Sequence, residues 1–353
     1  MPATQAARRA LDVAGFRAIL DGMKVTARHW HPEGDSARCE LCPNRCLVAP
    51  GRRGRCLGRR NAGGRLEAAS YGEIVSAAVD PVEKKPLYHF HPGEDILSVT
   101  TYGCNLACPF CQNSGISQQV VPGRQTAPGE LVELAREAGT FGVAFTYSEP
   151  LVWFEYLLDA CPALRAAGFR TVLVTNGMVN PGPLAELLPH VDAMNVDLKS
   201  IQPGFYRDYV GGCLEAVLDT IAAASQGCHL ELTNLLIPGR NDAEEDVAGL
   251  VEFVAGLGSA TPLHFSRYFP RHRAGEPATP EATLLRAGEI ASKRLDYVYL
   301  GNIGAGTRWR DTRCPGCGRV LVDRAGGRGR VTGVADGRCT GCGRRADVVL
   351  PGA

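Results

Sequence analysis

Hydrophobic and polar positions repeat along this chain in two alternating rhythms. From Asp95 onward, short apolar runs read as strands: Ile96–Thr101, Gly142–Tyr147, Arg170–Thr175, Val191–Leu198, His229–Ile237, Pro262–Tyr268 and Tyr297–Leu300. Stretches with helical spacing lie between most of them, at 128–139, 151–167, 214–227, 242–257 and 280–293. Such alternation predicts an α/β fold with a parallel sheet, because parallel neighbours need a helical crossover. Six or seven units point to a partial (β/α)6-type TIM-like barrel rather than a flat doubly wound sheet. Upstream, residues 4–30 carry Leu11, Ala14, Phe16, Ile19 and Leu20 at helical spacing, with Gly22 as a stop, which predicts a packing helix. Residues 65–80 alternate loosely as short strands and lead into a proline-punctuated loop. The expected division is 1–93, a helix with a cysteine-rich module; 94–305, the barrel; and 306–353, a second cysteine-rich module.

Barrel enzymes place their chemistry at the C-terminal ends of the strands. Here the second strand ends Thr146-Tyr147-Ser148-Glu149-Pro150, the third ends Val174-Thr175-Asn176-Gly177, and the fourth ends Asn195-Val196-Asp197-Leu198-Lys199. The fifth holds Thr233-Asn234, and the sixth holds His264 and Arg267. Asn195, Asp197 and Lys199 share one face by the two-residue period of a strand. Polar residues at successive strand ends around one mouth predict a site there.

The cysteines change the picture most. Fourteen of them in a chain that is 45% apolar and 21% charged predict metal binding rather than disulfides. Cys104, Cys108 and Cys111 form a C-x3-C-x2-C run, with Phe110 directly before the last. Three thiolates can hold three irons of a four-iron cubane and leave the fourth iron open, whereas structural zinc wants four ligands. Cys39, Cys42, Cys46 and Cys56 give C-x2-C-x3-C-x9-C, whose soft ligands suit zinc or an iron–sulfur centre. Zinc is the expected metal, since nothing in the sequence brings this block near the central run. Cys314, Cys317, Cys339 and Cys342 form two C-x2-C pairs in a zinc-ribbon-like pattern, so structural zinc is expected there too. Cys161, Cys213 and Cys228 stand alone and read as small hydrophobes.

Charge adds less. The net charge is +1, but residues 38–65 hold eight Arg against one Glu, and residues 306–345 hold ten Arg against three Asp. Basic patches can bind nucleic acid, yet 33 Arg against 5 Lys is equally a compositional bias. No run approaches the ~18 apolar residues of a membrane span, and Asp12 and Arg17 interrupt any signal-like core after Arg8 and Arg9. A cytoplasmic protein with no membrane partner is expected.

Taken together, these stretches carry a family resemblance. Cys104–Cys111 resembles the radical S-adenosylmethionine (SAM) superfamily. The run from Asp80 to Phe90, the cysteine block before it and the three strand ends resemble its pyruvate formate-lyase activating-enzyme-like branch. The C-terminal cysteine pairs narrow this to the radical-SAM member of the AmmeMemoRadiSam group. The resemblance implies a 4Fe-4S cluster on Cys104, Cys108 and Cys111, with SAM on its open iron. It makes Phe110 a cofactor-binding residue and places Thr146, Tyr147, Ser148 and Glu149 at the methionyl end of SAM, with Tyr147-Ser148 where the motif usually has two glycines. Thr175 and Asn176 match the ribose contacts, Asp197 and Lys199 match contacts near the cofactor, and His264 and Arg267 sit where the family places residues near the substrate. It also implies an electron donor such as flavodoxin or ferredoxin, and Memo-like and AMMECR-like protein partners. The expected activity is an oxidoreductase-type radical enzyme that cleaves SAM reductively to a 5′-deoxyadenosyl radical for hydrogen abstraction. An RNA-modifying radical enzyme and a non-catalytic iron–sulfur or zinc scaffold are the alternatives.

Overall fold

The structure, a computed structural model, describes residues 24–304 and 308–351. The part of the predicted N-terminal helix before residue 24 lies outside the described residues. Within the described part, Thr26 bridges to Glu67 and Trp30–Glu33 is a strand.

Eight strands make the central sheet: β1 (Ser76–Pro81), β2 (Asp95–Thr100), β3 (Gly142–Phe145), β4 (Arg170–Thr175), β5 (Ala193–Asp197), β6 (His229–Leu236), β7 (Leu263–Arg267) and β8 (Val298–Gly301). β2 to β8 are parallel and lie in chain order, and β1 joins β2 antiparallel at one edge. Such an order winds in one direction and puts the right-handed crossovers on one face. The sheet is open between edges β1 and β8. The strands and helices match the sequence expectation closely. The sheet also takes in Ser76–Pro81, upstream of the expected start at residue 94.

The period-two alternation decides what each face buries. Leu97, Val99, Val143, Phe145, Leu173 and Val196 pack outward with helix residues such as Leu157, Leu164, Val217 and Ile221. The alternate residues Ile96, Ala144, Val172 and Ala193 face Val82, Leu87 and Phe90. Residues 82–90 therefore fill one end of the concave side of the sheet. Asn195 on β5 donates to the Pro86 carbonyl at 2.8 Å, which fixes this strap from the strand side.

Both cysteine modules dock on this frame. The N-terminal one is built from a three-stranded antiparallel sheet (Trp30–Glu33, Ser36–Cys39, Leu47–Val48) and a hairpin of Arg59–Ala62 with Arg65–Ala68. The C-terminal one has its own small core of Leu321, Val322, Ala346 and two cysteines. It grips the strap: Val349 N–H donates to the His89 carbonyl at 2.8 Å, and the Arg324 guanidinium lies 4.1 Å over the Tyr88 ring. Among the described residues, no helix is long and apolar enough to cross a membrane.

Candidate active site

At the C-terminal ends of the strands lies a cavity of about 770 Å³, within the size range of ligand sites. The loop after β2 brings Cys104, Cys108 and Cys111 into its wall. Gly103 starts that loop with φ +98°, and a Cβ there would stand 2.1 Å from the Cys56 carbonyl oxygen. Only glycine fits that turn. Burial pushes the Cys104 thiol well above its usual range and Cys108 up to about 11, with Lys199 opposing at Cys108. Thiols so desolvated become thiolates when a cation takes the proton's place. No fourth cysteine lines the cavity among the described residues, so this donor set fits a cluster with one open iron.

Glu149 joins two strand ends. Its Oε1 accepts from Thr175 Oγ1 at 2.5 Å and from Leu151 N–H at 3.0 Å, and its Oε2 accepts from Asn176 N–H at 2.8 Å. Burial pushes its carboxyl up to about 7 in spite of these donors. Asn176 in turn reaches Cys104 Sγ at 3.5 Å and Asn105 Oδ1 at 2.9 Å. The carboxylate thus organises the strand ends that hold the cysteine loop, with room for one further donor.

Tyr147 answers the missing glycine pair. It adopts φ 66°, the left-handed conformation that glycine takes without strain. Its hydroxyl donates to Asp80 Oδ2 at 2.5 Å, and Lys85 Nζ lies 4.6 Å from its ring centre. Lys85 is 1% exposed and pairs with Asp80 at 2.9 Å. Burial favours a neutral Asp80, but Lys85, Tyr147 and Lys84 outweigh it and hold the carboxyl well below its usual range. Ser148 Oγ donates to the Thr101 carbonyl at 2.8 Å, tying the same turn to β2.

On the opposite wall, Lys199 Nζ sits 3.1 Å from Asp197 Oδ2 and 6.0 Å over the Phe110 ring. Burial opposes its charge, yet Asp197 and the Cys108 sulfur hold Lys199 above its usual range. His264 Nε2 lies 2.7 Å from Glu231 Oε2, and His229 lies 3.0 Å from the other oxygen. Burial favours the acid form of Glu231, but the two histidines outweigh it and keep the carboxylate well below its usual range.

The cavity wall contains every sequence-predicted cluster and cofactor residue: Phe110, Thr146, Tyr147, Ser148, Glu149, Thr175, Asn176, Asp197 and Lys199 with the three cysteines, and His264 besides. Arg267 is the exception. It is three residues from His264 on the same strand, so it falls on the other face. There its Nε donates to Thr279 O at 2.7 Å and its Nη1 meets Glu281 at 3.1 Å. Ser266 takes the inward place instead. Sequence reasoning assigned no site role to Asp80, Lys85 or Tyr88, which also line the cavity. The run from Asp80 to Phe90 was their only signal.

The sequence profile of the radical SAM superfamily matches residues 98–253. Those residues form a radical SAM domain. It is 40% identical over 299 residues to an uncharacterized protein of Methanocaldococcus jannaschii, covering 83% of this chain and 89% of that protein. It is 25% identical over 278 residues to the isethionate sulfite-lyase activating enzyme of Desulfovibrio desulfuricans, covering 75% and 80%. The pyruvate formate-lyase-activating enzyme of Clostridium pasteurianum is 24% identical over 172 residues, covering 47% and 72%. Among solved structures, a radical SAM methyltransferase from Sphaerobacter thermophilus aligns with a TM-score of 0.48 and 16% identity over 78% of each chain.

Proposed function

We propose that this chain holds a 4Fe-4S cluster on Cys104, Cys108 and Cys111 and cleaves SAM reductively, in the manner of the activating-enzyme-like branch. One observation carries the reading: three thiols, with no fourth among the described residues, converge on a large cavity beside a buried carboxylate, an Asp–Lys pair and two polar strand ends. Cluster and SAM together supply a 5′-deoxyadenosyl radical for hydrogen abstraction. The chain's own residues bind, orient and enclose. Glu149 keeps one lone pair for the cationic amino group of SAM, while Thr175 and Asn176 stand ready for its ribose. Asp197 and Lys199 fix charge next to Cys108, and His264, held by Glu231, faces the cavity from β7. The strap at 82–90 closes the far end against water.

Membership in the AmmeMemoRadiSam group, with Memo-like and AMMECR-like partners and a flavodoxin or ferredoxin donor, belongs to the same proposal. Its support is the C-terminal cysteine pairs together with the strap sequence. Structural zinc in the C-terminal module is supported by the sulfur spacing, with Cys314 Sγ 3.5 Å from Cys342 Sγ and Cys317 Sγ 3.6 Å from Cys339 Sγ. Zinc bound tetrahedrally at ~2.3 Å separates its sulfurs by ~3.8 Å. The test of the main proposal is anaerobic reconstitution followed by reduction in the presence of SAM. Wild-type protein should release 5′-deoxyadenosine, and Cys104→Ala, Cys108→Ala or Cys111→Ala should release none. Undiminished product from any of the three would refute it.

A further inference from the structure

The N-terminal four cysteines enclose a cavity of their own. Cys39, Cys42, Cys46 and Cys56 line a space of about 10 Å³ with Leu41, Leu151 and Met178. That is room for about one water-sized sphere. A zinc-centred set has no such space, because every sulfur stands ~2.3 Å from the centre. The sulfur separations agree. Among the described residues, the C-terminal cysteines alone form a group of three or more metal-ligating atoms within 4.8 Å of one another. No three sulfurs of the N-terminal set meet that limit, and neither do those of Cys104, Cys108 and Cys111. The N-terminal set is therefore splayed like the central one. A cubane interposes an iron–sulfide core between its thiolates and needs such a spread.

The cavity is also prepared for a strongly anionic occupant. Arg59 lines it, is 1% exposed, and spends only Nη1 on Glu155, at 2.6 Å. Its Nε and Nη2 are buried without a hydrogen-bond partner. Buried donors of this kind are rare and call for an acceptor. The sulfides and thiolates of a cluster are acceptors on every side, and hydrogen bonds to them tune its potential.

From these observations we infer that Cys39, Cys42, Cys46 and Cys56 hold a second four-iron cluster, which reverses the expectation of zinc there. The site adjoins the first. Asn105, next to Cys104, lines the N-terminal cavity, and its side-chain oxygen accepts from the Asn176 amide that also reaches Cys104. Asn44 of the N-terminal module donates to the Asn105 carbonyl at 2.8 Å. The inference uses the proposed function only in counting the first cluster.

The experiment is metal analysis with electron paramagnetic resonance on anaerobically reconstituted protein. Wild-type chain should carry about eight irons and one zinc, and the triple variant Cys104→Ala/Cys108→Ala/Cys111→Ala about four irons with a reducible signal. In that background Asn105→Ala should shift the remaining signal. Four irons and two zincs in the wild type, or about two irons in the triple variant, would overturn the second cluster. Equal iron in wild type and triple variant would instead refute the central assignment and leave the N-terminal one standing. Should the triple variant not fold, the wild-type ratio of iron to zinc decides alone.

Discussion

The two four-cysteine modules of this chain offer the same four ligands and differ in how the sulfurs are spaced and buried. The C-terminal sulfurs are gathered to zinc-like distances and half of them are exposed, Cys317 and Cys342 facing solvent. The N-terminal sulfurs are spread and mostly buried against apolar side chains. Protonation separates the two sets as well. In the N-terminal set, desolvation pushes Cys42 up to about 11 and Cys56 up to about 12. In the C-terminal set the sulfurs share protons: the Gly341 N–H, 3.3 Å from Cys339 Sγ, leads in holding that thiol down at about 6, while Cys317, in spite of the Arg319 N–H, is pushed up to about 11 by desolvation and its sulfur neighbours. One set takes up a metal with a thiolate ready at neutral pH, and the other must release protons from a dry cavity.

The largest effect that sharpens the contrast is removal of the C-terminal metal. The module's core is only five buried residues, two of them ligands, and structural zinc contributes roughly 10–16 kcal/mol of apparent binding free energy in such small units. Cys339→Ser should lose one zinc per chain and make residues beyond 308 sensitive to protease, with iron content unchanged. Protons compete for the same sulfurs, so zinc retention should fall as pH drops. Zinc loss that takes iron with it would erase the contrast.

Next in size is the buried pair at the N-terminal module. Arg59 and Glu155 are 1% and 4% exposed, and removing one member of such a pair costs about 3–5 kcal/mol because the other is left charged and dry. Arg59→Met should destabilise the protein by that amount in chemical denaturation, and adding Glu155→Leu should restore much of it. A loss below about 1 kcal/mol for Arg59→Met would mean that the site tolerates water and is not the dry cavity described.

Much of this was legible beforehand, and the failures have local causes. The seven parallel strands and five of their helices follow from hydrophobic period alone. The cysteine loop and strand ends were legible because each is a short local pattern. The strap was not: Val82, Leu87 and Phe90 pack against strands up to about a hundred residues later, and no period marks such contacts. Arg267 was legible in principle, since an odd offset from His264 sends it to the other face. Spacing also said nothing of sulfur separation, so the N-terminal metal could not be decided from sequence.

The smallest expected effect concerns how the C-terminal module is attached. Tyr297, 2% exposed, donates to Asp347 Oδ2 at 2.8 Å, while Arg344 reaches Asp347 at 3.5 Å and Asp296 at 3.7 Å from the surface. A buried hydrogen bond to a charged group contributes about 1.5–3 kcal/mol, whereas exposed ion pairs contribute ~0–1 kcal/mol. Tyr297→Phe should therefore lower stability by about 2 kcal/mol and increase hydrogen exchange along residues 345–350. Arg344→Ala should change it by less than ~1 kcal/mol and vanish into error at high salt. The opposite ranking would place the attachment of the module in the rim charges.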